Sequence, residues 1–158
     1  LSTPPVPTRP PLKVLLVEKV VGDANLVKAA FPSSWRQWRV HHVVNAAEAL
    51  DYLGVAEGRP AKSTPPDLIV VGFYPGDPDA REFIERIKED EVLRCIPVIV
   101  LIRSGRKRDA MACYALGVAG VINKPADMGD FIEAIGGIAD YWGRIVLLPE
   151  NDTDGPAS

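Results

Sequence analysis

The stretch PDLIVVGFYPGDPDAREFIERIKED at residues 66–90 holds both halves of a strand–helix unit. Leu68, Ile69, Val70 and Val71 form an unbroken apolar run, the pattern of a parallel strand covered on both faces. After Asp79, Phe83, Ile84 and Ile87 recur at helical spacing, with the charged residues between them on the opposite side. The turn between the halves is rich in proline, glycine and aspartate, which suit its backbone angles.

The same alternation extends in both directions. Toward the amino end, residues 14–17 are a first strand that ends at polar Glu18 and Lys19. Asp23 is placed to cap a helix carrying Leu26, Val27, Ala30 and Phe31, which Pro32 stops. Residues 39–44 read as a second strand, with Trp35 and Trp38 packing around its entry. Asn45 then caps a short helix with Ala46, Ala49, Leu50 and Leu53, and a Gly/Pro-rich loop spans 54–66. Toward the carboxyl end, residues 98–102 and 120–122 are strands four and five. The helix between them, over 108–116, has Met111, Ala112, Ala115 and Leu116 on one side and Gly117 as terminator. A last helix starts near Asp127 and passes Phe131, Ile132, Ile135 and Ile138 toward Tyr141. Five strands alternating with five helices imply right-handed crossovers and a doubly wound α/β parallel sheet.

A chain of 158 residues fits one domain, and 47% hydrophobic with 25% charged residues is globular usage. The net charge of −3 argues against bulk electrostatic binding to nucleic acid or an anionic membrane. No apolar run approaches the roughly 18 residues of a membrane span, and the opening LSTPPVPTRPPLK lacks the apolar stretch of a secretory signal, so a cytoplasmic protein is expected. Prolines 4, 5, 7, 10 and 11 make residues 1–11 an extended lead-in, residues 150–158 are a polar, acidic tail with nothing apolar to bury, and the domain is expected at 12–149. Cys95 and Cys113 form no ligand motif and are expected as small buried residues, with no metal and no cofactor implied.

In sheets of this kind function collects at the carboxyl ends of the strands. Those ends are Glu18 and Lys19, Gly72 and Phe73, residues 102–104, and residues 123–125. Asp77 and Asp79 fall beyond them and read as turn and cap residues. His41 and His42, adjacent in a strand, face opposite sides and cannot share an ion.

LLVE at 15–18, PDLIVV at 66–71, DAREFIERIKED at 79–90, IPVIVL at 96–101, YALGVAGVINKP at 114–125 and ADYWGRIVLLPE at 139–150 carry a resemblance in their order and spacing. Together they resemble the receiver domain of two-component response regulators, most of all the single-domain regulators that partner phytochrome-type histidine kinases. The resemblance implies a flavodoxin-like (βα)5 fold with strand order 2-1-3-4-5. It also implies a phosphoryl transfer from a kinase histidine to an aspartate ending strand three. That chemistry uses magnesium held by neighbouring carboxylates, a hydroxyl after strand four and a lysine after strand five, because charge develops on the transferred oxygens.

Carried onto this chain, the acceptor position is Gly72, and the acidic pair after strand one is reduced to Glu18 with Lys19. The hydroxyl position is Ile102, the small residue after it is Arg103, and the toggling aromatic is Val121. Lys124, followed by Pro125, keeps the family's residue. The expected pocket of Glu18, Lys19, Gly72, Ile102, Arg103 and Lys124 therefore has no catalytic residue. Lys124 is expected to pair with Glu18, leaving about one net positive charge, unless Lys19 and Arg103 turn to solvent as long cations readily do.

The function this implies is a pseudo-receiver: no enzyme, but a domain that acts by phosphorylation-independent contact with a histidine kinase or another signalling protein. The segment at 141–149 has no strand slot left to fill, and a similar extension helps form a homodimer in the resembled subfamily. Tyr114, Tyr141, Trp142, Ile145, Leu147 and Leu148 are the candidate interface residues. The alternative is a small-molecule or anion sensor using space vacated at Gly72. Arg106, Lys107 and Arg108 with Arg103 form a basic run that reads as a solvated face, or as a site for an acidic partner.

Overall fold

Each of the expected strands forms, and their order across the sheet is β2-β1-β3-β4-β5, all parallel. The computed structural model describes residues 11–31, 37–55, 64–145 and 148, with the side chains of Arg144 and Ile145 outside it. Along the chain run β1 (Leu12–Val17), α1 (Val21–Ala30), β2 (Trp38–Val43), α2 (Ala46–Leu53), β3 (Leu68–Gly72) and α3 (Asp79–Glu89). After a 3-10 turn at Leu93–Cys95 come β4 (Val98–Ile102), α4 (Lys107–Ala115), β5 (Gly120–Asn123) and α5 (Met128–Asp140). A π-helical turn, Tyr141–Ile145, continues from α5. This is the doubly wound flavodoxin-like arrangement.

The alternation of side chains along each strand divides the core into two layers. Val14, Leu16, Leu68, Val70, Ile99 and Leu101 face α1 and α5, where Val27, Phe131 and Ile135 meet them. Leu15, Val17, Ile69, Val71, Val98 and Val100 face the opposite layer, built from Ala49 and Leu53 of α2, Phe83, Ile84 and Ile87 of α3, and Cys113 of α4. Both faces are covered, which is why the central strands lack polar residues until they end.

Local signals hold where the chemistry is local. Asn45 Oδ1 accepts from the Glu48 N–H at 2.8 Å, and Asp127 Oδ1 from the Asp130 N–H at 3.0 Å, each meeting a helix donor that has no partner inside its helix. Gly117 follows α4 with φ +91°, a backbone turn that side chains resist. Phe31 and Trp38 meet edge to face at 5.2 Å, closing the entry to β2. Trp35, Pro32, Leu147, the side chain of Ile145, the lead-in over residues 1–10 and the tail lie outside the described residues.

Three expectations are corrected. α4 is rotated from its expected phase: Met111 is 62% exposed, while Cys113 is buried with Ala110 and Leu116 partly covered beside it. A helix with one methionine among small and charged residues has too weak an apolar stripe to fix its own rotation, so the sheet chooses. Cys95 is exposed because the 3-10 turn directs Leu93 inward in its place. Asp23 caps nothing. α1 begins at Val21 without a side-chain cap, which leaves Asp23 in the first turn, buried and aimed at the ends of the strands.

Candidate functional site

β1 and β3 are paired so that Val17 lies beside Val71. One step further along this register, Glu18 stands beside Gly72 on the same side of the sheet. Glu18 is 1% exposed, and its carboxylate leans across the glycine. A Cβ built on Gly72 would overlap Glu18 Oε2 and come within 2.7 Å of Glu18 Cδ. The vacancy expected at Gly72 is thus filled by its neighbour's side chain. The remaining hollow, lined by Lys19, Gly72, Tyr74 and Asp77 among others, measures about 10 Å³, room for one water at most.

Lys124, the residue after β5, supplies the counter-charge from within. Its buried Nζ donates to Glu18 Oε2 at 3.1 Å, to Asp23 Oδ2 at 2.9 Å and to the Tyr74 hydroxyl at 2.9 Å. An ammonium has three N–H groups, so each is matched to an oxygen. The Tyr74 hydroxyl in turn donates to Glu18 Oε1, which also accepts from the Val20 N–H at 3.1 Å. Arg103 Nη2 donates to both oxygens of Asp23, at 2.7 and 2.8 Å. At the rim, Lys19 pairs with Asp77 and lies over the Tyr74 ring at 4.4 Å. Asp77 Oδ1 accepts from the Asp79 N–H, as a turn residue does, whereas Asp79 does not cap its own helix: it is the first residue of α3, and its Oδ2 accepts from the Ala46 N–H at the start of α2.

The expected net charge of about +1 is corrected by these contacts. Glu18 and Asp23 balance Lys124 and Arg103, and Asp77 balances Lys19, so the site is neutral rather than cationic. Burial pushes the Asp23 carboxyl up, but hydrogen bonds from Arg103 and Lys124 outweigh it and hold it below the usual carboxylate value. Burial and the hydrogen bond to Glu18 push the Tyr74 phenol far above its ordinary value. The bond to Asp23 raises the Arg103 guanidinium further, and the bond from Lys19 lowers Asp77.

Of the pocket residues expected from sequence, Glu18, Gly72, Arg103 and Lys124 come together. Lys19 joins only at the rim. Ile102 does not join at all, because its side chain is buried in the opposite layer with the α3 and α4 residues. Asp23 and Tyr74 were missing from that set. Asp23 gave a misleading cap signal, and Tyr74 lies two residues past Gly72 in a turn with no periodicity to aim it. His42 Nε2 meets the Glu18 carbonyl oxygen at 2.7 Å, while His41 stacks on Tyr52, so the two histidines do face apart. Tyr114 is half exposed, and its hydroxyl accepts from the Val121 N–H at 3.2 Å. Tyr141 is exposed, and Trp142 packs partly into the α1/α5 layer.

No protein-family model matches the chain. It is 30% identical over 142 residues to the response regulator Rcp1 of Synechocystis sp., covering 90% of this chain and 96% of that protein. The chain belongs to the response regulators. Among solved structures, the phosphorylated cyanobacterial phytochrome response regulator RcpA superposes with a TM-score of 0.81 at 33% identity, covering 89% of this chain and all of that one. The Mn²⁺-bound form of Rcp1 superposes with a TM-score of 0.75 at 29% identity, with the same coverage. A response-regulator receiver takes part in two-component signalling, and no helix among the described residues is long and apolar enough to cross a membrane.

Metal binding in that relative invites a test of the same corner here. Hard divalent cations want several oxygen ligands of their own. In this receiver every carboxylate oxygen of Glu18 and Asp23 already accepts from Lys124, Arg103, Tyr74 or Val20, and an ammonium lies between the two groups. These residues do not fit a divalent cation.

Proposed function

We propose that this receiver acts in two-component signalling as a pseudo-receiver, by protein–protein contact without carrying a phosphoryl group. The observation that supports it is the filling of the Gly72 position by the Glu18 carboxylate, itself held by Lys124. A phosphoryl group needs a nucleophile at that spot and a cation to take up developing charge. Glycine offers no nucleophile, and a buried carboxylate there repels the incoming phosphorus oxygens. On this reading the domain is no enzyme and works in the cytoplasm, where a kinase or another regulator docks on it as on an adaptor or competitor.

A homodimer is part of the same proposal. Tyr114 and Tyr141 are 52% and 49% exposed, aromatic surface of the kind that anchors interfaces. Light scattering on the chain and on Tyr141→Ala is expected to give a dimer mass that the substitution lowers; a monomer in both removes this part.

The central test is incubation with acetyl phosphate and Mg²⁺, followed by intact-mass spectrometry. An unchanged mass is expected. A mass increase of one phosphoryl group on an aspartate or glutamate overturns the proposal.

A further inference from the structure

Where β4 turns into α4, four cations stand within six residues: Arg103, Arg106, Lys107 and Arg108. Arg103 already has its partner, since its guanidinium donates to both oxygens of Asp23. The other three are exposed, and among the described residues none of them pairs with a carboxylate. Asp109, the acid next along the chain, does not compensate them, because its Oδ2 is buried in the fold without a donor.

The fold itself has no use for cations at this place. Arg106 holds the N-cap position, Lys107 and Arg108 open the helix, and no side chain caps it. The first turn of a helix carries the positive end of its dipole, so these charges are repelled by the helix as well as by one another. The turn that carries them is nevertheless well anchored. Arg103 ties its first residue to α1, and the Arg106 N–H donates to Ser104 Oγ at 3.3 Å. An exposed charge run that opposes its own helix, yet is held in place, calls for a counter-charge from outside the fold.

The geometry narrows what that counter-charge is. A phosphate or another small anion needs donors that converge on it, whereas consecutive helical positions diverge by about 100° and send these side chains fanning outward. Nucleic acid spreads its charge over a length that would bring the rest of a chain of net charge −3 against it. A short acidic segment of a protein touches the run alone, with its carboxylates spread as the cations are.

We infer that the turn from β4 into α4 docks an acidic segment of a protein partner, with Arg106, Lys107 and Arg108 as its contact residues. This gives a surface and a chemistry to the contact proposed above, and it rests on that reading. Phosphodonor labelling tests the reading and the titration below tests the surface, so either can fail alone.

The full ¹⁵N-labelled chain is titrated with hexaglutamate, hexaglutamine, inorganic phosphate and a DNA duplex, each followed by amide NMR. Hexaglutamate is expected to shift the amides of residues 105–108 saturably, and more weakly as salt rises. The other three titrants are expected to bind about tenfold more weakly or worse. The triple variant Arg106→Gln/Lys107→Gln/Arg108→Gln should bind hexaglutamate about tenfold more weakly, with an unfolding midpoint no lower than the parent's. Lys28→Gln/Arg81→Gln/Arg86→Gln removes the same charge from exposed positions on α1 and α3 and should leave binding unchanged. The inference is overturned if hexaglutamate shifts none of these amides at millimolar concentration, or if phosphate or DNA matches it. It is equally overturned if the two triple variants lose binding alike, or if neutralising residues 106–108 lowers the midpoint, which would make the run part of what holds the fold.

Discussion

Glu18 lies where a side chain on Gly72 would have to be, and Lys124 holds it there. Restoring an aspartate by Gly72→Asp therefore sets a new carboxylate against an old one in a buried, filled space. Overpacking of this kind costs about 1–3 kcal/mol, before the repulsion between like charges is added. Urea denaturation is expected to show a lower midpoint with no gain of phosphodonor labelling. Adding Glu18→Ala to the same chain should recover part of the loss, whereas additive losses would mean that the two positions do not compete.

Removing Lys124 exposes the network to the opposite fault. Lys124→Met leaves the buried Glu18 and Asp23 with one cation fewer, and breaking a buried pair from one side typically costs about 3–5 kcal/mol. Without the ammonium, burial raises a carboxyl above its unfolded value. The folded state then binds more protons than the unfolded one, and the variant gains stability as pH falls from 7 toward 5. Denaturation midpoints at the two pH values check this, and equal losses at both would contradict it.

The parent protein should behave differently in acid. Asp23 is held below its ordinary value, so the stability it supplies is fully present above the unfolded carboxyl value of about 4 and is lost as pH falls through its lower folded value. Thermal unfolding followed from pH 7 to pH 2 should show this contribution disappearing below about pH 4. In Arg103→Ala the acid-labile part should shrink only modestly at neutral pH, since that guanidinium is half exposed and such pairs contribute about 0–1 kcal/mol.

Tyr74 should ionise late. Its phenol is pushed up by burial and by the hydrogen bond to Glu18, so alkaline titration followed at 295 nm should show a lagging phase that belongs to Tyr74. A phenol that ionises near its ordinary value only after unfolding makes the fold lose stability as pH rises through about 10. Tyr74→Phe should abolish the lagging phase and cost about 1–3 kcal/mol, the penalty of leaving Lys124 and Glu18 each a partner short.

Magnesium offers a further check. With the Glu18 and Asp23 oxygens already taken up by donors of the chain itself, millimolar Mg²⁺ or EDTA should leave the melting temperature unchanged within about 1 °C, because only a ligand that binds the folded state raises it. A clear rise with Mg²⁺ would show that the cation displaces Lys124.

What could be read from the chain alone follows the range of the forces involved. Asn45 and Asp127 were legible because a cap acts within three residues, and β1 and β3 because their apolar runs need no partner to be recognised. The rotation of α4 was not, since Met111 and Cys113 differ too little for their own helix to choose between them. Asp23 was misread because a lone aspartate near a helix start looks like a cap until the helix is seen to begin at Val21. The contacts that define the site join Lys124 to residues 101 and 106 positions away, and no periodicity reaches that far.

Since one nitrogen is shared among groups from the end of β1, from α1, from the β3–α3 turn and from β5, none of these segments can swing outward without stranding the rest. Hydrogen–deuterium exchange around Val20, Asp23, Tyr74 and Lys124 should accordingly proceed as a single opening event with one common rate, four doors on one bolt.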